Sequence, residues 1–201
     1  SVQYRLINSE SMDRYRGIDY AVNFTFEDIK RIGGELQIDV IGTHLEENVT
    51  VDASGVSDDY VGQCFDFGES CYNRDRVNLA LRYYKDDWSV ALLTRFLSEI
   101  EVSDDVKEYF AESPYGDPLP DGWQQEVFDI YSVDRYSISS LSVGYNLSDS
   151  VMFNFGVQNL FDKKPPYYKD FFGFVDPQIN TPQNTYDIVG RYYTLGFRIS
   201  Y

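Results

Sequence analysis

"VMFNFGVQNLFDKKPP", Val151 to Pro166, decides how the rest of the chain is read. Its odd positions, Val151, Phe153, Phe155 and Val157, are all apolar, and Met152, Asn154, Gly156 and Gln158 lie between them. A period of two residues marks a β-strand with one greasy face and one polar or crowded face. The strand runs into Asn-Leu-Phe-Asp and is stopped by Lys-Lys-Pro-Pro. Its greasy face must meet either a protein core or lipid.

The same period recurs along the chain. Tyr193, Leu195, Phe197, Ile199 and Tyr201 alternate with Tyr192, Thr194, Gly196, Arg198 and Ser200. Leu141, Val143, Tyr145 and Leu147 form another set, and Ile138, on the other parity, predicts a bulge near Ser139–Ser140. Trp88, Val90, Leu92, Phe96, Ile100 and Val102 fall on one face, opposite Arg95, Glu99 and Glu101. Val77, Leu79, Leu81 and Tyr83 repeat the pattern, as do Leu36, Ile38 and Val40 against Glu35, Gln37 and Asp39. Ile18, Tyr20, Val22, Phe24 and Phe26 stand against Asp19, Asn23 and Thr25. Helical spacing fits none of these segments as well, so the fold class is all-β and antiparallel.

Composition narrows what such strands touch. Aromatics make up 17% of the 201 residues, with 18 Tyr and 14 Phe, while mean hydropathy is −0.40. Tyr suits surfaces that are apolar at one end and wet at the other. No stretch approaches the roughly 18 apolar residues of a transmembrane helix, but membrane-crossing strands hide their signal in alternation. The net charge of −16 repels phosphates and argues against a nucleic-acid partner. The chain opens at Ser1 with no basic or apolar leader, which points to a processed chain or to part of a longer one. Cys64 and Cys71 sit among Gly, Asp and Ser in "GQCFDFGESCYN". A metal site there would need further ligands, and His44 is the only histidine; the expectation is a local disulfide, and hence an oxidising compartment.

Short and long connections alternate. Glu27–Gly34, Lys85–Asp87 and Ser148–Ser150 are short, whereas about Val51–Arg76, Ser103–Arg135 and Asp162–Val189 are long. Long loops all at one end suit an outer-membrane barrel, with brief periplasmic turns and long extracellular loops. A soluble β-sandwich shares the alternation without a reason for this asymmetry.

The final strand carries a resemblance. A chain that stops on an aromatic, Tyr201, at the end of an alternating strand is similar to bacterial outer-membrane proteins, whose ending is read by the barrel-assembly machinery. "FGVQNLFDKKPPYY" followed by "NTYDIVGRYYTLGFRISY" resembles the end of TonB-dependent receptors. The matching positions are Asn159, Leu160, Phe161 and Asp162, then Tyr186, Asp187, Gly190 and Arg191. Upstream, "YRLINSESMDRYRGIDY" resembles another strand of that family, with Asp19 where Glu is usual.

Seven strands are predicted, at about 2–26, 34–50, 76–85, 88–102, 133–147, 151–161 and 190–201. With an odd number, the first and last run the same way, and an antiparallel barrel cannot close on them. The resemblance implies a barrel of about 22 strands with a plugged lumen, of which residues 1–201 form roughly the last third. The plug and TonB box it also implies have no counterpart in these residues. The family's partners would be that plug, the TonB complex acting through it, the assembly machinery, and outer-membrane lipid with lipopolysaccharide.

Enzymatic chemistry finds little footing: there is no nucleophile–base spacing and no Gly-rich phosphate loop, and no cofactor is expected. Glu99, Glu101, Asp104, Asp105, Glu108, Glu112, Asp117 and Asp121, with Lys107 alone against them, offer carboxylates for a glycosidase pair or a calcium site, but a solvated outer loop, bridged by divalent cations to lipopolysaccharide, is the commoner explanation of such a run. Tyr115 and Trp123, with Tyr167, Tyr168, Phe171 and Phe172 in the next loop, are candidates to stack on a ligand ring or to pack the loops together. What the resemblance implies is energy-coupled uptake of a siderophore-bound iron, haem, cobalamin or oligosaccharide. A passive porin and a secreted binding module are the alternatives.

Overall fold

The computed structural model describes residues 12–51, 55, 57–64, 71–102, 132–168, 181 and 185–200. Its strands are β1 (Met12–Phe26), β2 (Glu35–Val51), β3 (Ser57–Asp59), β4 (Asp75–Lys85), β5 (Trp88–Leu97), β6 (Tyr136–Ser148), β7 (Val151–Gln158) and β8 (Tyr192–Ile199). All belong to one antiparallel sheet in the order β1-β2-β4-β5-β6-β7-β8, with the short β3 paired to β2 alone. Seven long strands are therefore hydrogen-bonded in chain order. No helix and no second sheet occurs among the described residues.

Register turns the sequence alternation into rows. Phe24, Ile38, Leu81, Leu92, Leu141, Val157 and Tyr193 are successive cross-strand partners from β1 to β8. A second row runs Phe26, Leu36, Tyr83, Val90, Val143, Phe155 and Leu195. One residue along each strand, on the opposite face, the row Thr25, Gln37, Arg82, Ala91, Ser142, Gly156 and Thr194 carries no large apolar side chain. Directly opposed apolar and aromatic pairs contribute about 0.2–1 kcal/mol each relative to alanine. Toward the sheet edges these rows stay open, with Phe24 52% exposed, Phe155 42% and Leu195 80%, whereas Val157 is buried.

The three tight connections lie at one end of the sheet. At Ile29–Gly34 the chain turns through a 2.7 Å bond from the Gly33 N–H to the Ile29 carbonyl, with Gly33 and Gly34 at φ 67° and 78°. A Cβ on Gly34 would run into the Tyr84 carbonyl, so β4 leaves no room for a side chain there. Tyr83 and Lys85 fasten this turn from β4, donating to the carbonyls of Gly33 (3.0 Å) and Ile32 (2.8 Å). Trp88 packs against Tyr145 at the same end, with ring centroids 4.5 Å apart.

Three expectations change. β5 stops at Leu97 rather than continuing to 102, and Ile100 leaves the sheet to form an isolated bridge with Val133, reciprocal at 2.8 Å. Ile100 and Val102 are therefore buried at the loop end and do not extend the apolar face. The β5–β6 ladder passes Ser139 and Ser140 without a break, so the expected bulge is absent there. Ile138, on the parity opposite to Leu141 and Val143, points at the other face and packs against the loop-end cluster. Irregularities fall instead between Arg16 and Gly17, opposite Leu45–Glu47, and between Asn146 and Ser148.

Candidate functional site

The polar face is held by side chains reaching across strands. Asp39 on β2 accepts from its direct partner Asn23 on β1 and from Arg82 on β4, joining three strands through one carboxylate. Thr43 donates to Asp19 at 2.6 Å and Ser140 to Gln158 at 2.7 Å across strands, and within β2 Gln37 donates to Glu35 at 2.6 Å. Asp39, Asn23 and Asp19 are legible from the sequence as the face opposite the apolar one. Arg82 is not, because its link to Asp39 depends on the β2–β4 register.

The apolar face ends in a polar fringe toward the loops. Thr94 and Ser139 share a hydrogen bond of 2.9 Å, one hydroxyl donating to the other, within the row that continues Val22, Val40 and Leu79. The Tyr20 ring lies over Gly42, occupying the space a side chain would need. Farther out, positions of the same parity turn charged. His44 Nδ1 meets Asp75 at 2.6 Å, Arg16 meets Glu46 at 2.9 Å, and Arg14 donates to Glu47 at 3.0 Å.

Above the polar face stands a compact cap. Cys64 and Cys71 are bonded to each other and almost fully buried, as the short loop between them predicts. Around them pack Leu97, Ile100, Val133, Tyr136, Tyr168 and Tyr186. These residues come from all three long connections and the strand ends that feed them. Tyr136 and Tyr186 meet edge to face at 5.2 Å. Burial pushes the Tyr186 hydroxyl above the usual tyrosine range. Asn73, itself buried, donates to the Ser98 carbonyl at 2.6 Å.

The sequence signature is brought together in this region. Asn159 adopts φ 50° and closes the end of β7: its carboxamide donates to the Lys163 carbonyl (2.9 Å) and accepts from the Lys163 N–H (2.7 Å). The Leu160 N–H donates to the Ser139 carbonyl at 2.7 Å. Asp162 accepts the Arg191 N–H at 3.1 Å, and Gly190 leaves space beside that carboxylate. That bond, followed by Lys164 at 3.1 Å, holds the Asp162 carboxyl below the usual aspartate range. Asp187 accepts the Val189 N–H at 2.9 Å. Asn159, Asp162, Gly190 and Arg191 thus join the exit of β7 to the entry of β8, and Tyr186 belongs to the cap. Phe161 is 73% exposed and takes no part in that join.

Of the loop aromatics, Tyr168 is buried in the cap and Tyr167 is exposed beside it. Tyr115, Trp123, Phe171, Phe172 and the terminal Tyr201 lie outside the described residues, as do Asp104, Asp105, Glu108, Glu112, Asp117 and Asp121 of the acidic run. No cluster of three or more metal-ligating side chains occurs among the described residues.

No protein-family model and no curated protein matches this sequence. Among solved structures, the chain is similar to a mutant of the ferric enterobactin receptor from Pseudomonas aeruginosa, at 18% identity and a TM-score of 0.47. The match covers 90% of this chain and 22% of that receptor, so the chain spans about a fifth of its neighbour's length.

Proposed function

We propose that the chain forms part of the wall of an outer-membrane β-barrel of the TonB-dependent receptor kind, which imports a scarce ligand into the periplasm. The observation that carries this reading is an apolar face, continuous in rows across seven strands and with no second layer over it among the described residues, on a sheet whose other face is a hydrogen-bonded polar surface. Soluble monomers rarely expose contiguous apolar patches beyond a few hundred Å². A barrel wall has this polarity by necessity, with apolar residues toward lipid and polar ones toward the lumen. Tight turns at one end and long connections at the other agree with it, the cap then lying on the extracellular side. So do the two edges. β1 and β8 run in the same direction, so an antiparallel barrel would need an odd number of further strands between them.

In this reading Trp88, Tyr145 and Tyr83 anchor the periplasmic interface. The fringe of Arg14, Arg16 and His44 meets the outer headgroups, where lipopolysaccharide is the neighbour. The Asn159–Asp162 and Tyr186–Arg191 segments act as a structural join, and the chain contributes wall and rim without covalent chemistry. A plug, the TonB complex and the barrel-assembly machinery are the partners, and siderophore-bound iron, haem, cobalamin or an oligosaccharide is the cargo class. The test has two stages. Spin labels at Leu195 and Thr194, in membranes, should be quenched by lipid-dissolved oxygen at the first site and by a water-soluble nickel chelate at the second. Equal access of the nickel chelate to both would end the wall reading. Uptake of candidate ligands by cells should then stop when the proton-motive force is collapsed; uptake that persists would assign a passive pore.

A further inference from the structure

We propose that residues 185–191 form a strap, running from the entry of β8 back across the loop end to the entry of β4, which makes the three long connections move as one body. Three successive ties define its course. At the β8 end the Arg191 N–H donates to Asp162, just past the exit of β7, at 3.1 Å. In the middle the Tyr186 ring meets that of Tyr136, the first residue of β6, edge to face at 5.2 Å. At the far end the Thr185 hydroxyl oxygen accepts the Cys71 N–H at 3.4 Å, shortly before β4 begins at Asp75. The strap goes beyond the wall reading and does not depend on it.

Distance marks this segment as a crossing and not a local turn. In the sheet order β4-β5-β6-β7-β8, the outer two strands are four intervals apart, which is about 19 Å at the usual strand spacing. The steps from Tyr192 back to Thr185 reach about 23 Å when fully extended. The segment therefore spans the gap with little slack, and its ties break if β4 and β8 draw apart at this end. A bond of 3.4 Å is long, so the far tie depends on packing. Cys71, Tyr136 and Tyr186 supply it, each no more than 2% exposed. The far anchor is fixed in turn. The Cys71 carbonyl accepts from Arg76 on β4, and the Tyr72 N–H donates to the Gln63 carbonyl at 2.9 Å across the disulfide loop. Beyond β5, the Glu101 N–H donates to the Gly62 carbonyl at 2.7 Å, beside the reciprocal Ile100–Val133 bridge. The β2–β4, β5–β6 and β7–β8 connections thus share one packed core, and such cores shift as units rather than deform continuously.

The experiment measures distances between pairs of spin labels in the full chain, in detergent micelles, by double electron–electron resonance. One pair, at Asn78 and Tyr192, reports the loop end, and the other, at Tyr84 and Arg198, reports the turn end; all four side chains are exposed. Tyr186→Ala removes the middle tie. It should lengthen the loop-end distance by about half a strand spacing or more and leave the turn-end distance unchanged. Phe161→Ala, at an exposed residue outside the join, should change neither. A loop-end distance that stays put in Tyr186→Ala, or that changes as much at the turn end, would overturn the strap, as would an equal shift in Phe161→Ala. Where Tyr186→Ala does not fold, Cys64→Ser with Cys71→Ser loosens the far anchor instead, and an unmoved loop-end distance there overturns the strap as well. Hydrogen exchange reads the shared motion. In Tyr186→Ala the Ile100 and Val133 amides, on a different connection, should lose protection together with the Arg191 amide. Ile100 and Val133 amides that hold while Arg191 opens would show the connections to be independent and refute the proposal.

Discussion

Leu92 and Leu93 are neighbours on β5 and identical in chemistry, yet they belong to different surfaces. Leu92 lies between Leu81 and Leu141 in a row that is apolar from β1 to β8. Leu93 lies between Ala80 and Ser140, on the face that also carries Asp39, Arg82 and Gln158. In a soluble sheet the apolar row would be covered and the polar row wet. Here no second layer of strands or helices covers the apolar rows among the described residues, although Val157 is buried within them, and the polar face carries the cross-strand bonds and the buried cap. The difference teaches that alternation alone separates the two surfaces, and substitutions at the two leucines test whether one of them faces lipid as proposed.

Leu92→Arg should cost about 2–4 kcal/mol if its row lies near the middle of a bilayer, whereas a lumen-facing Leu93→Arg should be tolerated. Urea unfolding from lipid vesicles measures both. Equal costs would remove the distinction between the faces. Phe197 pairs with Phe153, which pairs with Tyr145 and so with Trp88, beside the tight turns. An arginine at that interfacial level should cost only about 0–1 kcal/mol.

The second effect concerns the cap. Removing the Cys64–Cys71 bond by serine substitution should cost roughly 2–3 kcal/mol in the chain-entropy account of a short loop. Hydrogen exchange should locate the loss. The reciprocal bridge amides of Ile100 and Val133 should lose protection, while those at the Leu81–Leu92–Leu141 centre should hold. Loss at the centre as well would mean that the sheet depends on the cap.

How much of this was legible depended on whether a period of two persisted. The seven long strands and both faces follow from alternation, because inward and outward demands differ at every step of a strand. β3 was invisible: Ser57–Asp59 has no apolar member, and only pairing with β2 defines it. Ile100, Val102 and Ile138 misled because a cap residue and an outward strand residue are both apolar. Sequence marks apolarity and not what covers it. The disulfide was local enough to read, but the cap built around it draws Leu97, Tyr136 and Tyr186 from distant segments. The signature near Asn159 and Arg191 stood out as a pattern, while its role as a join needed the Asp162–Arg191 bond.

A smaller effect tests the polar face. Asp39→Ala should cost about 1 kcal/mol, because a half-exposed Arg82 loses its partner but water can replace it. Asp39→Ala and Arg82→Ala combined should cost less than the sum of the two alone. Strict additivity would mean that the Asp39–Arg82 pair contributes nothing to joining β2 and β4.

The smallest effect is the pH response of the join between β7 and β8. Asp162 has its carboxyl held below the usual aspartate range, first by the Arg191 N–H and then by Lys164. A depressed folded-state pKa means that the folded state binds its proton less readily than the unfolded chain does. Its stabilising contribution is therefore complete above the ordinary aspartate value and is lost as pH falls through the lower folded value. Between neutral pH and about pH 4 the Arg191 amide should keep its protection, and below that it should weaken as the carboxylate is neutralised. Asp162→Asn retains an acceptor oxygen without the charge, so its Arg191 amide should be less protected at neutral pH and show no acid transition. A wild-type transition that survives in that variant would move the titrating group elsewhere, with Asp187, which accepts the Val189 N–H, as the next carboxylate to replace.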